Sequence, residues 1–284
     1  MTEARTPVSV HDRVWVFYLL TSTLAAWAGG WPEGPGHGDP LAFTGHQLVF
    51  LTLLWFVRRE PAGTPRGNGF RAAFSIVAIP AVFTALAIVL PGVHPEPFEF
   101  TWIAFDRWLC GTDPTVELQA LYWGPFIDLL QIAYAVFYLV PVVAVLLAGL
   151  ESGRSGFADG LDVVVVGFLL SYLGYLIWPT IGPETYLPHD APIEGPLCAA
   201  SVHAAIVAAE IHRWNCFPSG HTMLGVLSLV VVVRHARRWA PVFAVPVALL
   251  VTATLVLRYH YVADVLAGLL GVPLAVVVVR RIRG

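Results

Sequence analysis

The groups in this chain able to do chemistry sit in two short stretches, Cys216-Phe217-Pro218-Ser219-Gly220-His221-Thr222 and, about forty residues later, Arg258-Tyr259-His260-Tyr261-Val262-Ala263-Asp264. Each opens a long apolar run, Met223 to Val233 in one case and Val265 to Val279 in the other. Pro218-Ser219-Gly220-His221 reads as a turn starting a helix, whose unpaired N–H groups and dipole favour an anion such as phosphate. His260 and Asp264 are four residues apart, so a helix beginning near Tyr259 would put them on one face. The carboxylate then accepts from one imidazole nitrogen and leaves the other as nucleophile or base. An oriented His260, a second imidazole at His221 to protonate a leaving oxygen, and a helix N-terminus for phosphoryl oxygens are the parts of phosphoryl transfer through a covalent intermediate. Taken singly, each histidine reads equally well as a helix cap hydrogen-bonded in the membrane interface. The order of the two motifs and their shared side favour the chemical reading.

At these residues the chain resembles the type 2 phosphatidic acid phosphatase superfamily of integral membrane enzymes. The resemblance lies in Pro218-Ser219-Gly220-His221-Thr222 and in His260-Tyr261-Val262-Ala263-Asp264, followed by Val265-Leu266-Ala267-Gly268. It implies a six-helix lipid-phosphatase-like core working without cofactor or metal, with His260 as the nucleophile that is phosphorylated, Asp264 orienting it and His221 as general acid. Ser219, Gly220 and Arg258 would then hold the phosphoryl oxygens. The wider family carries an earlier basic motif and an Arg six residues before the nucleophilic His; this chain has no lysine, and Thr254 stands at that place. Trp178-Pro179-Thr180-Ile181-Gly182-Pro183 and the His-Tyr pair of the last motif resemble the inositol phosphorylceramide synthase branch. So do Asp128 and Tyr134 in a stretch running to Pro141, which would wall a headgroup pocket. Many relatives have Arg after the Gly-Pro pair, where this chain has Glu184, so Arg258 and Arg213 become the candidates for neutralising phosphate.

The elements that must position these groups are membrane helices. The 284 residues are 57% hydrophobic and 12% charged, too apolar for a soluble chain of this length. A span needs roughly 20 mostly apolar residues. Eight stretches approach that: Val14 to Gly30, Leu41 to Val57, Ala72 to Leu90, Phe126 to Leu150, Leu161 to Trp178, Phe217 to Val233, Ala240 to Leu257 and Tyr261 to Val279. The expectation is an all-α polytopic membrane protein, one integral membrane domain over residues 1–284, with two N-terminal spans in 1–71 and a catalytic core bundle in 72–284. Of the 16 arginines, 13 fall on one side of such a bundle: Arg5, Arg13, Arg58, Arg59, Arg66, Arg71, Arg154, Arg234, Arg237, Arg238, Arg280, Arg281 and Arg283. The positive-inside rule makes that side cytoplasmic, along with both termini, and the histidine motifs extracytoplasmic. Arg5 and Arg13 before an apolar run ending Ala26-Trp27-Ala28 also have the pattern of a secretory signal, whose cleavage would remove one span without reorienting the rest.

Outside the spans, Trp31 to Pro40 reads as a short outer loop and Pro61 to Gly69 as its cytoplasmic counterpart. Trp102 to Leu109 reads as an amphipathic piece lying in the interface as an anchor without chemistry. Asp128, Gln131, Tyr134 and Tyr138 form a stripe in the fourth span, and Asp128 there faces either the bundle interior or the solvated interface. The alanine-rich Pro196 to Trp214 predicts a helix that could be a lid, on which His203, like His189 before it, reads as a solvated loop histidine. Cys110, Cys198 and Cys216 show no metal-ligand spacing; Cys198 and Cys216 could be bridged in an oxidising compartment or remain reduced thiols.

No basic face for nucleic acid exists, and no dinucleotide fingerprint, Walker loop or His-Glu-x-x-His is present. Other readings stay open. One is a non-catalytic transporter or flippase for a phospholipid or polyprenyl phosphate, with the histidines as relay or binding groups. Another is a metal site built from His203, His212, His221 and His260. For the enzyme, the partners are a lipid phosphate and, for transfer, a polyol acceptor such as inositol; the residues alone do not separate hydrolysis from transfer. Arginine used to the exclusion of lysine fits a GC-rich bacterial genome, hence a bacterial cytoplasmic membrane, where ceramide is a doubtful donor and phosphatidylinositol-type or polyprenyl phosphate donors are as plausible.

Overall fold

The computed structural model describes residues 9–29, 39–94, 96–209 and 213–284. Most of the loop expected from Trp31 to Pro40, together with Arg5, Glu210 and His212, lies outside them. The longer helices are α1 (Val10–Ala28), α2 (Pro40–Val57), α3 (Pro65–Leu86), α4 (Glu99–Cys110), α5 (Gly124–Ala135), α6 (Leu139–Ile177), α7 (Ala199–Ala209), α8 (Gly220–His235), α9 (Ala240–Val256) and α10 (Val262–Arg283). No strand occurs among the described residues. The starts of several follow from local chemistry: Asp39 Oδ1 accepts from Ala42 N at 2.9 Å ahead of Pro40, and Thr64 Oγ1 accepts from Gly67 N at 3.0 Å ahead of Pro65. A side-chain cap followed by proline at the first helical position is a strong start signal.

Each of the eight expected apolar stretches contains a helix among the described residues. Among the described residues, five helical stretches, Pro40–Val57, Pro65–Leu86, Gly124–Ile177, Arg237–Val256 and Val262–Arg283, are long and apolar enough to cross a membrane. The protein is an all-α polytopic membrane protein. Gly124–Ile177 comprises two passes, because α6 folds back at Gly153, where φ is 66° and ψ is −155°. A Cβ on Gly160 would lie 3.5 Å from the Cα of Val145, whereas fifteen residues of straight helix span about 22 Å. A side chain at Gly153 would be strained in that conformation.

The second arm of α6 and α8 form the centre, with α9, α10, α3 and α1 around them. Residues 159–169 are all buried, the pattern of a helix surrounded on every face. α8 and α10 start at the two histidine motifs and end together at the opposite side. There Asp159 accepts from His235 Nε2 at 2.6 Å, Arg234 at 3.1 Å and Arg283, while Arg283 also reaches Asp162 at 2.7 Å. Arg71 holds the buried Asp12 through two bonds of 3.0 and 2.7 Å at this same arginine-rich end. Sixteen residues give α8 a length of about 24 Å, short of the roughly 30 Å hydrocarbon core. The N–H of its N-cap Ser219 donates to Asp264 O, so α8 starts beside the first turn of α10.

Candidate active site

His260 is delivered by a turn and not by a helix face. Helix α9 ends in a Schellman arrangement, with Arg258 N bonded to Leu255 O at 3.0 Å and Tyr259 N to Thr254 O at 3.0 Å. The residue in the left-handed position, normally glycine, is Arg258 at φ 53°. His260 N also reaches Thr254 O, at 2.9 Å, so the carbonyl of the residue standing at the expected Arg position fixes the backbone of His260. Helix α10 starts only at Val262. The expectation that His260 and Asp264 share a helix face is thus corrected: Asp264 reaches back from the first turn, accepting from Tyr261 N at 2.8 Å, and faces His260 Nδ1 at 3.3 Å.

Across from it, Ser219 caps α8, its Oγ accepting from Thr222 N at 3.2 Å, and Ser219 N donates to Asp264 O at 3.0 Å. That bond ties the two motifs together. His221, on the first turn, has Nδ1 3.4 Å from His260 Nε2. Tyr134 holds it, its ring stacked at 4.3 Å on His221 and at 4.0 Å on Tyr259, while Phe137 packs on the same imidazole with ring centroids 4.3 Å apart. Cys216 lies inside the pair: its thiol is 2.7 Å from Asp264 Oδ2 and 3.3 Å from His260 Nδ1. Cys110, Cys198 and Cys216 are all free, so the bridge considered for Cys198 and Cys216 is not formed.

A cavity of about 190 Å³ opens over this centre, lined by Tyr134, Glu184, Arg213, His221, Arg258 and His260 among others. Arg258 donates to Ala191 O at 3.0 Å and sits 3.6 Å from Glu184, which also pairs with His203 Nε2 at 3.1 Å. Burial pushes the Glu184 carboxyl up, but the hydrogen bond from His203 and the charges of His203, Arg258 and Arg213 hold it below its usual range. His203 is therefore no solvated loop histidine; its Nδ1 meets Tyr259 Oη at 2.9 Å. With both ring nitrogens so used, it is turned away from a four-histidine metal set, and His212 lies outside the described residues. Ser219 and Asp128 do not line this cavity, and Gly220 borders its apolar neighbour. Asp128 is buried at 2% exposure and accepts from the N–H groups of Leu197, Cys198 and Ala199 at 2.7 to 2.9 Å. Its carboxylate caps α7 where a pocket wall was expected, because three N–H donors leave it little capacity for a headgroup.

The second cavity, about 520 Å³, is mostly apolar and runs between α3 and α6, past Ile79, Val142, Val145 and Phe168. His221, Phe83, Tyr138 and Asn215 border both spaces, so the two meet at the general-acid candidate.

The interfacial piece read as an inert anchor proves to be the site's scaffold. Helix α4 sends Asp106 to the first N–H groups of α10, Val262 at 2.8 Å and Ala263 at 2.9 Å. Two turns back along the same helix, the fully buried Glu99 accepts from Ile181 and, at 3.1 Å, from Gly182, whose φ of 116° suits glycine. Trp102, between them, stacks on Phe217 at 3.9 Å and donates to Thr180 Oγ1 at 3.0 Å. The sequence signal was there in the seven-residue spacing of Glu99 and Asp106, which puts two acids on one side of a short amphipathic helix.

A family model described as PAP2 superfamily matches residues 101–278, beginning within α4 and ending within α10. No curated protein and no solved structure matches the chain.

Proposed function

The chain belongs to the PAP2 superfamily, whose activities are of the phosphatase and phosphotransferase type, and from that premise we propose that it removes or transfers the phosphoryl group of a membrane lipid through a phospho-histidine intermediate. His260 Nε2 attacks phosphorus, Asp264 keeps the Nδ1 proton in place, and His221 protonates the departing alkoxide. Arg258, the first-turn N–H groups of α8 and, at the rim, Arg213 take the charge of the equatorial oxygens. Glu184 holds Arg258 until the substrate competes for it. The observation that carries the reading is the junction of the two cavities at His221. A molecule with an anionic head in the polar space and an apolar tail in the other places its ester oxygen beside that imidazole.

The short α8 supports a reaction at headgroup depth, and the arginine distribution supports the extracytoplasmic side of a cytoplasmic membrane, bacterial on this reading, with both termini inside. Water resolving the phospho-enzyme makes a phosphatase, and a polyol such as inositol a transferase of the inositol phosphorylceramide synthase kind. A time course on purified protein beside His260→Ala, over a panel of lipid phosphates with and without inositol, separates them. Phosphate release lost in the variant supports hydrolysis, and an inositol-dependent lipid product lost in the variant supports transfer. Neither activity in a folded, lipid-binding protein contradicts the catalytic reading and favours transport.

A further inference from the structure

Cys216, His260 and Asp264 bring a sulfur, an imidazole nitrogen and a carboxylate oxygen together in one buried cluster, with Sγ, Nδ1 and Oδ2 all mutually close. We propose that this cluster is an inhibitory site for a thiophilic divalent cation of the Zn2+ or Cd2+ class. The effect on turnover rests on the phospho-histidine reading; the binding site itself rests on geometry alone.

A tetrahedral Zn2+ with sulfur at about 2.3 Å and nitrogen and oxygen at about 2.0 Å keeps its ligand atoms roughly 3.3 to 3.6 Å apart. Two of the three separations here are already 3.3 Å, and the third, 2.7 Å between Sγ and Asp264 Oδ2, opens when the thiol proton between them is lost. Thiolate, carboxylate and neutral imidazole balance a 2+ ion, so the filled site carries no net charge into a buried region. Asp264 Oδ1 is buried without a hydrogen-bond partner, a carboxylate charge only partly compensated by the protein. Cys216 and His260 both line the polar cavity, which gives an ion its path and leaves a fourth position for water. The sulfur selects against Mg2+ and Ca2+.

Binding displaces one proton, from the Cys216 thiol. A cation on His260 Nδ1 also forces the remaining ring proton onto Nε2, the atom facing His221. A protonated Nε2 has no lone pair for phosphorus, so the metal switches off the nucleophile without touching the phosphate pocket.

The test titrates Cd2+ into the full-length protein in detergent and follows the ultraviolet thiolate-to-cadmium charge-transfer band together with phosphate release. The expected result is one band-forming equivalent per chain, activity lost in parallel and restored by chelator, and no effect of Mg2+. Cys110→Ala and Cys198→Ala should keep the band; Cys216→Ala and Cys216→Ser should lose it; His260→Ala should weaken binding at least about tenfold. No band in the wild type, or a band that survives in both Cys216 variants, overturns the proposal. Because the band is read without substrate, a protein that binds Cd2+ this way but turns over nothing would support the site and contradict the catalytic reading instead.

Discussion

In the proposed mechanism His260, Asp264 and His221 have separable jobs, and the chemistry of the leaving group separates them. Asp264 Oδ2 faces the imidazole at 3.3 Å and can hold its tautomer only as a charged acceptor. Asp264→Asn should lower kcat by about 10²- to 10⁴-fold with KM little changed. His221→Ala should cost as much on an ordinary lipid phosphate, yet far less on an aryl phosphate whose leaving oxygen needs no proton. His260→Ala should lose both substrates alike. Steady-state kinetics on the two substrates checks this, and equal losses in His221→Ala would contradict the general-acid role. These three residues were legible in the sequence because each motif is contiguous and its residue types name its chemistry. Cys216 was legible as a thiol only; nothing in the spacing of three cysteines puts one of them between His260 and Asp264.

At the scale of elements, the site is held by side chains whose partners are backbone N–H groups. Asp106 caps α10, Asp128 caps α7, and Glu99 holds the Ile181–Gly182 turn. Backbone donors carry no residue signature, so the partners of these acids could not be read from the sequence, though the two acids on one side of α4 and the helices they join could. The same holds for the turn at Arg258, since a Schellman motif is normally announced by glycine. Arg258→Ala and Arg258→Gly both remove the guanidinium, but only glycine relieves the positive φ; the Gly variant should be about 1 kcal/mol more stable than the Ala variant by unfolding in detergent, and both should lose activity. Asp106 gives a pH test. Burial raises its carboxyl to about 6 from a usual 3.8, against the two N–H bonds it accepts and with added repulsion from Asp264 and Asp113. Between those values the folded protein keeps a proton the unfolded chain has lost, so stability falls as pH rises from about 4 to about 6. Thermal unfolding over that range should show the slope in the wild type and a flatter one in Asp106→Asn.

For the whole molecule, the apolar helices were written in composition, and the fold agrees with an all-α polytopic membrane protein because bilayer thickness and helix rise leave few alternatives. The meeting of a polar and an apolar cavity at His221 was not, since it depends on how α3 packs against both arms of α6. Val142→Trp, in the apolar cavity, should slow a long-chain lipid phosphate by about tenfold or more, while a soluble short-chain phosphate monoester stays within about twofold in the same assay. The central claim is the covalent step at His260. Rapid quench of His221→Ala with a radiolabelled aryl phosphate tests it most directly, because loss of the acid–base group should let the phospho-enzyme accumulate. The expected result is a label on the protein that is stable to base, labile to acid, located on His260 and absent when His260→Ala is added. Turnover without any such label, or a label that survives the loss of His260, would contradict it.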